Sequence, residues 1–303
     1  MNTSIKLCAL MVAAWCGAAL AADAPKNDTR SPSDVVAHRN IEYVPNGGKS
    51  QSLDLYLPAK ADKPLPLVVY IHGGGWQAGS KEGCWALPEV KRGYAAASLN
   101  YRLSQEAIFP AQIQDCQAAI RWLRANAKKY NINPDKIGVW GDSAGGHLSA
   151  LLGTAGGKKA FPPIGENRNE SDRVQAVCDW YGPTDFLNFA SQMPADDGLH
   201  PNSPNSPLSK LFGGPVAEHK ALALSAGPLH YVDKNCPPFL IEHVTGDNIV
   251  PIAQSEELAD ALKKAGVEVT LIKFEGKGHG VGMRSKPDWM DPISAFFDKE
   301  LKD

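Results

Sequence analysis

Six short apolar runs, at residues 67–71, 94–99, 137–140, 174–181, 239–243 and 267–274, constrain this chain more than any other feature. Apolar runs of this length suit strands buried on both faces, which occur in parallel sheets flanked by helices. The segments between them carry a helical period. Ile113, Cys116, Ile120, Leu123 and Ala127 form one apolar stripe, and Leu148, Leu151 and Leu152 another. A third predicted helix, 255–265, has Glu256 and Glu257 early and Lys263 and Lys264 late, as the helix dipole favours, with Gly266 as its stop. Asn133-Pro134-Asp135 reads as a turn ahead of the strand at 137–140. Earlier, 41–44 and the alternating Leu53, Leu55 and Leu57 read as an antiparallel hairpin across Asn46-Gly47-Gly48. The expectation is an α/β fold: a mostly parallel twisted sheet of about eight strands, an antiparallel N-terminal hairpin, and helices on both faces. Residues 184–237 fit no regular element, because prolines and glycines recur through them. They are expected to form an insertion between the sixth and seventh strands, over the pocket.

The stretch Gly141-Asp142-Ser143-Ala144-Gly145 lies between a predicted strand and a predicted helix. A G-x-S-x-G sequence in that context makes a sharp turn that lifts the serine hydroxyl clear of the sheet at a helix N-terminus. Amide groups there lack intrahelical partners, so an oxyanion forming beside Ser143 would meet donors already in place. Serine is a weak nucleophile at neutral pH and needs a base. Histidine suits that task, with an ordinary pKa of roughly 6.5. His279 lies in a glycine-rich loop after the last predicted strand, and Asp247 follows the strand at 239–243. Both belong at the carboxyl edge of a parallel sheet, where ligands and catalytic groups gather. Asp247 would orient the imidazole and stabilise its charged form. The glycines of His72-Gly73-Gly74-Gly75-Trp76, after the strand at 67–71, free the backbone for close approach.

With Ser143, Asp247 and His279 in that order, and the H-G-G-G-W loop and the D-W-Y-G-P-T-D stretch at 179–185, the chain resembles α/β-hydrolases over roughly residues 40 to 300. It is similar to bacterial hormone-sensitive-lipase-like esterases and to feruloyl-esterase-like (BD-FAE-like) hydrolases. Val244 departs from the pattern, in which glycine is commoner. The resemblance implies Ser143 as nucleophile, His279 as base and then acid, Asp247 as its orienting carboxylate, and the amides of Gly74, Gly75 and Ala144 as oxyanion hole. It implies a carboxylic-ester hydrolase working through an acyl-enzyme, with acetyl or feruloyl esters of plant polysaccharide among its substrates. Amide or carbamate hydrolysis of formamidase type, and a non-catalytic binding protein on the same fold, are the alternatives. Trp76, Tyr101, Trp180 and Tyr181 are candidates for lining an aromatic acyl pocket, and aromatic residues beside strands are also common core. His72 is expected to shape its loop, and His147, His243, Asp142 and Asp185 to act as packing or hydrogen-bonding supports.

Composition sets the remaining expectations. At 303 residues, 43% hydrophobic and 21% charged, the chain suits one large domain. Lys6, the apolar stretch 7–20 and Ala19-Leu20-Ala21 read as a secretory signal over residues 1–21, followed by a flexible lead-in at 22–38 and the hydrolase domain from residue 39. The protein is therefore expected to be periplasmic or secreted, with no membrane association after cleavage. Without the signal, 30 basic side chains face 33 acidic ones, a charge of −3 that draws no nucleic acid. Cys84, Cys116, Cys178 and Cys236 remain, and Cys84 with Cys116 is the favoured disulfide. No metal or organic cofactor is implied, since the chemistry uses side chains and water. The partner is an ester substrate, small or polysaccharide-linked.

Overall fold

The computed structural model describes residues 34–193, 201–280, 283 and 288–302. The expected signal over 1–21 lies outside them. Eight strands form one sheet: β1 (Val35–Glu42), β2 (Ser52–Pro58), β3 (Leu65–Ile71), β4 (Ala95–Leu99), β5 (Ile132–Asp142), β6 (Ala176–Trp180), β7 (Phe239–Gly246) and β8 (Val269–Lys277). Their spatial order is β1-β2-β4-β3-β5-β6-β7-β8. β2 pairs antiparallel with both β1 and β4, and every other pairing is parallel. The parallel strands β3 to β8 therefore all end at one edge.

Alternation along each strand divides the core in two. Leu67, Val69 and Ile71 of β3 join one apolar cluster, while Val68 and Tyr70 join the other. The first cluster is covered by helices Ala111–Ala125, Ala144–Ala155 and Ala253–Lys264, through Ile120, Leu148 and Leu258 among others. The second is closed by helix Asp291–Phe297, through Ile293 and Phe297, and by the 3₁₀ turn Leu87–Arg92, through Val90. Covering on both faces is the physical reason these strands lack polar alternation.

Four expectations are corrected. The first strand begins at Val35, so residues 35–38 of the supposed lead-in are paired with β2 through Pro58, Leu57, Tyr56 and Leu55. Asn133-Pro134-Asp135 makes no separate turn. It sits inside β5, bulged out between the pairs Leu65↔Ile132 and Leu67↔Ile137. Among the described residues, 184–237 is built from short helical pieces, including Phe189–Gln192, Pro207–Phe212 and Lys220–Ala226. Leu208, Leu211, Phe212, Ala223 and Ala226 bury into the first core cluster, which offsets the cost of ordering so irregular a segment. Cys84 and Cys116 belong to different clusters on opposite faces of the sheet, and all four cysteines are free thiols. Burial pushes the Cys84 thiol up to about 12, so it is an inert core residue.

Candidate active site

Ser143 occupies the turn between β5 and helix Ala144–Ala155, with φ 52° and ψ −117°. A non-glycine residue seldom takes a positive φ, and the surrounding backbone enforces it here. Its N–H donates to Trp180 O at 2.8 Å, and its carbonyl accepts the first helical bond from His147 at 2.9 Å. The flanking glycines are a steric requirement. A Cβ at Gly141 would lie 2.3 Å from Gly145 O, and one at Gly145 only 2.0 Å from Ile71 O. The turn thus lies directly against the end of β3.

The loop after β3 is held to this turn by Asp142. Its carboxylate accepts from Gly73 N at 2.9 Å and from the Tyr70 hydroxyl. Gly74 (φ 108°) and Gly75 (φ 58°) then carry the backbone through left-handed geometry. Gly74 O receives the amides of Gln77 and Ala78, and a Cβ at Gly74 would lie 2.2 Å from Ala78 O. His72 shapes the loop as expected: its ring stacks on Tyr101 with centroids 4.4 Å apart, and its Nδ1 lies 2.7 Å from Gly73 O. Burial lowers the His72 pKa, which favours the neutral ring.

At the ends of β7 and β8, Asp247 and His279 meet, with Asp247 Oδ2 2.7 Å from His279 Nδ1. The other oxygen, Oδ1, accepts from the amides of Ile249 and Val250 at 2.8 and 3.1 Å. His243 approaches the same carboxylate: its Nε2 lies 3.4 Å from Asp247 Oδ2 and 2.9 Å from Val250 O, while its Nδ1 meets Ser255 Oγ at 2.7 Å. A carbonyl only accepts, so Nε2 carries the proton and Nδ1 accepts from the serine hydroxyl. Burial alone would raise the Asp247 pKa. Hydrogen bonds from His243 and His279 overcome that, holding the carboxyl well below the usual range. Val244, where glycine is commoner in such sequences, buries its side chain in the core and leaves the turn intact, with Asp247 N donating to Val244 O at 3.2 Å.

His279 Nε2 is buried and has no hydrogen-bond partner among the described residues. Nδ1 must be the protonated nitrogen if it bonds a carboxylate, which leaves Nε2 as a free base. The corner after β6 links this imidazole to Ser143. Trp180 O accepts from Ser143 N, and the neighbouring Tyr181 ring stands edge-on to His279 with centroids 4.7 Å apart.

The aromatic candidates are all buried, and they serve different roles. Trp180 is fully buried on the far face of the sheet, against Trp140, with its indole N–H on Glu242 Oε2 at 2.7 Å, so it lines no pocket. Tyr101 supports His72, both by stacking and by donating to His72 O at 3.0 Å. Trp76 lies beneath the glycine loop, donates to His147 Nδ1 at 3.1 Å and packs on Phe186. Among the described residues, Tyr181 is the one of the four whose ring contacts a triad candidate, His279, while Trp180 meets Ser143 through its backbone carbonyl. His147 is the support it was expected to be, bonded to Trp76 and Ala226 and pushed down to about 4 by burial. Asp185 caps the turn that follows it, accepting from the amides of Leu187 and Asn188.

Two buried acids escaped sequence reasoning, because nothing local marks a carboxylate as buried. Burial pushes Glu242 up to about 8 and Asp179 up to about 6. In an unfolded chain Glu242 would ionise near roughly 4.3, so between that pH and about 8 the folded state binds more protons. Stability contributed by this group is therefore complete below pH ~4.3 and falls as pH rises through that window. Glu242→Gln keeps an acceptor for Trp180 and should raise the melting temperature at pH 8 by about 3 °C more than at pH 5. Calorimetry at both pH values checks this, and an equal change at the two would refute it. Among the described residues no group of three or more His, Cys, Asp or Glu is set to hold a metal ion.

Comparisons with known proteins agree with this architecture. A truncated carbohydrate esterase from gut microbiota is 34% identical, with a TM-score of 0.81 over 92% of this chain and 99% of that one. An acetyl ester-xyloside bifunctional hydrolase from Caldicellulosiruptor lactoaceticus is 29% identical, with a TM-score of 0.68 over 82% and 87% of the two chains. The probable carboxylic ester hydrolase LipM of Mycobacterium tuberculosis is 30% identical over 72% of this chain and 50% of its own length. The chain spans about half the length of the curated relatives it matches. The fold is that of the α/β-hydrolases. The BD-FAE family model matches residues 53–262, more than half of the chain, and the protein belongs to that family.

Proposed function

We propose that this protein is a secreted serine esterase that removes small acyl groups, acetyl foremost, from carbohydrate. The observation that carries the reading is the state of His279, with Nδ1 on a buried carboxylate and Nε2 buried without a partner among the described residues, joined to the Ser143 turn through the Trp180-Tyr181 corner. In this reading Ser143 Oγ attacks the ester carbonyl carbon while His279 Nε2 takes its proton. The resulting oxyanion is held by the amides of Gly74, Gly75 and Ala144. Collapse breaks the bond to the alcohol, which leaves with the proton from Nε2. Water then attacks the acyl-enzyme, giving its proton to Nε2, and the acid departs as that proton returns to Ser143. Asp247 stays ionised and stabilises the imidazolium in both halves.

Packing supports a small acyl group. Trp76, His147, Phe186 and Phe212 fill the space beneath the glycine loop, each at most 3% exposed and in ring contact with at least one of the others. An acetyl group needs none of that cluster to move, whereas a feruloyl group would have to open it. Two solved relatives are named as acting on carbohydrate or acetyl esters. The test compares kcat/KM for p-nitrophenyl acetate and methyl ferulate on the purified protein, with Ser143→Ala as control. Acetate should lead by about tenfold or more. A ferulate preference would overturn the small-acyl reading, and inactivity on both would overturn the esterase. Export belongs to the same proposal, and amino-terminal sequencing of protein from the periplasm or medium should begin near Ala22.

A further inference from the structure

Next to the glycine loop, on the side facing the insertion, lies an open groove of about 650 Å³. One wall is Gln77 and Ala78, the residues that close the Gly74 turn, and the other is Lys210 and Gly213 of the insertion. Its floor includes Ile108, a large apolar side chain left 48% exposed. Gly213, at φ 79°, is the left-handed cap that ends helix Pro207–Phe212 and lies beside Ile108.

We infer that this groove is a subsite for the sugar ring next to the one bearing the ester, so that the enzyme reads an oligosaccharide alcohol. The inference rests on the esterase reading for its orientation. The groove starts at the loop proposed to hold the oxyanion, and the acyl side beneath that loop is filled by aromatic residues. What extends into the groove is therefore the alcohol portion. Its chemistry matches a pyranose, which has an apolar C–H face and a hydroxylated edge. Ile108, Ala78 and Gly213 offer the apolar surface, and Gln77, Gln105 and Lys210 the polar rim. The rim is preorganised: Lys210 Nζ donates to Gln77 Oε1 at 3.0 Å, and Gln105 Nε2 donates to Gln77 O at 3.0 Å. The volume falls within the range of small-molecule sites, roughly 300–1,000 Å³. A fatty acyl chain would call for an enclosed apolar tunnel, and this groove is open with polar edges.

Binding and turnover test the inference separately. Ser143→Ala protein, which cannot turn over, is titrated with unesterified xylotetraose by calorimetry, alone and with Ile108→Ser or Gln105→Ala added. Binding at roughly millimolar Kd, weakened about fivefold or more by either change, is expected. With Ser143 restored, the same two changes should lower kcat/KM on acetylated xylo-oligosaccharide about fivefold or more, through KM, and leave p-nitrophenyl acetate within about twofold. Xylotetraose binding that neither change affects, or no binding at all, would overturn the subsite. Intact activity on the acetylated oligosaccharide in both variants would do the same while leaving the esterase reading standing. Groove-dependent binding without hydrolysis of any ester would have the reverse meaning: the subsite stands and the esterase fails.

Discussion

Replacing Ser143 by alanine should lower kcat on p-nitrophenyl acetate by on the order of 10⁴ or more, with the melting temperature within about 2 °C of the parent. The loss is large because nucleophile, base and carboxylate act as a unit, so removing the attacking oxygen removes nearly everything the other two supply. Some rate above water should remain, since the glycine loop and the helix N-terminus still offer their amides to the developing oxyanion. Stability should hardly change. The hydroxyl makes no cap bond to its helix, and the backbone bonds of residue 143 to Trp180 O and from His147 N do not involve the side chain. The parent and variant are compared by initial rates at saturating ester and by calorimetry. A variant with a tenth of the parent rate would remove Ser143 from the role assigned to it.

Gly145→Ala should be the more damaging change to the fold, although it adds one methyl group. That carbon would lie 2.0 Å from Ile71 O and 2.7 Å from His72 O, both backbone atoms at the end of β3. Backbone there cannot give way without breaking the β3 pairing to β4 and β5, so helix Ala144–Ala155 must move off the sheet. Overpacking of this kind costs about 3 kcal/mol or more, which for a domain of this size lowers the melting temperature by about 6–12 °C. Gly153→Ala on the same helix is the control. Its Cβ would have side chains as its nearest neighbours, Val177 Cγ2 at 2.5 Å and Phe239 Cζ at 2.9 Å, and buried side chains yield more readily than paired backbone. The expected order of melting temperatures is parent, then Gly153→Ala, then Gly145→Ala. Reversal of the last two would show that the contact with β3 is more yielding than its geometry says.

The central strands β3, β4, β6 and β7, and the second half of β5, were legible because they are buried on both faces and written as uninterrupted apolar runs. The triad candidates were legible because each stands in a short local pattern at a strand end. The misreadings have separate physical origins. At β1, Val35-Val36-Ala37-His38 is separated from Ile41 by an irregularity at Arg39-Asn40, which breaks the strand pattern along the sequence, and the pairing with β2 reveals it. For Asn133-Pro134-Asp135, turn chemistry was read correctly, but the turn is a bulge within a strand, which requires knowing where β3 lies. Trp76 and Trp180 look alike in sequence, each beside a strand end, yet one lies under the glycine loop and the other across the sheet. That distinction depends on side-chain direction. The pairing of Cys84 with Cys116 failed for the same reason, since spacing along the chain says nothing about the sheet that separates them.

The corner at Trp180-Tyr181 has a consequence for how such an enzyme could change its substrate. One peptide unit fastens the Ser143 turn by its carbonyl, and the next ring abuts His279. Tyr181 N in turn donates to Glu242 O at 2.9 Å, within the strand that leads to Asp247. The distances that matter to bond-making are thus set by a few rigid residues of the central sheet. The insertion that begins three residues later supplies one wall of the groove and meets the glycine loop at its outer side, through Pro207 and Lys210, and from beneath, through Phe186 on Trp76. Selection could therefore rewrite the insertion, and with it which alcohols are admitted, while the reacting atoms stay in register.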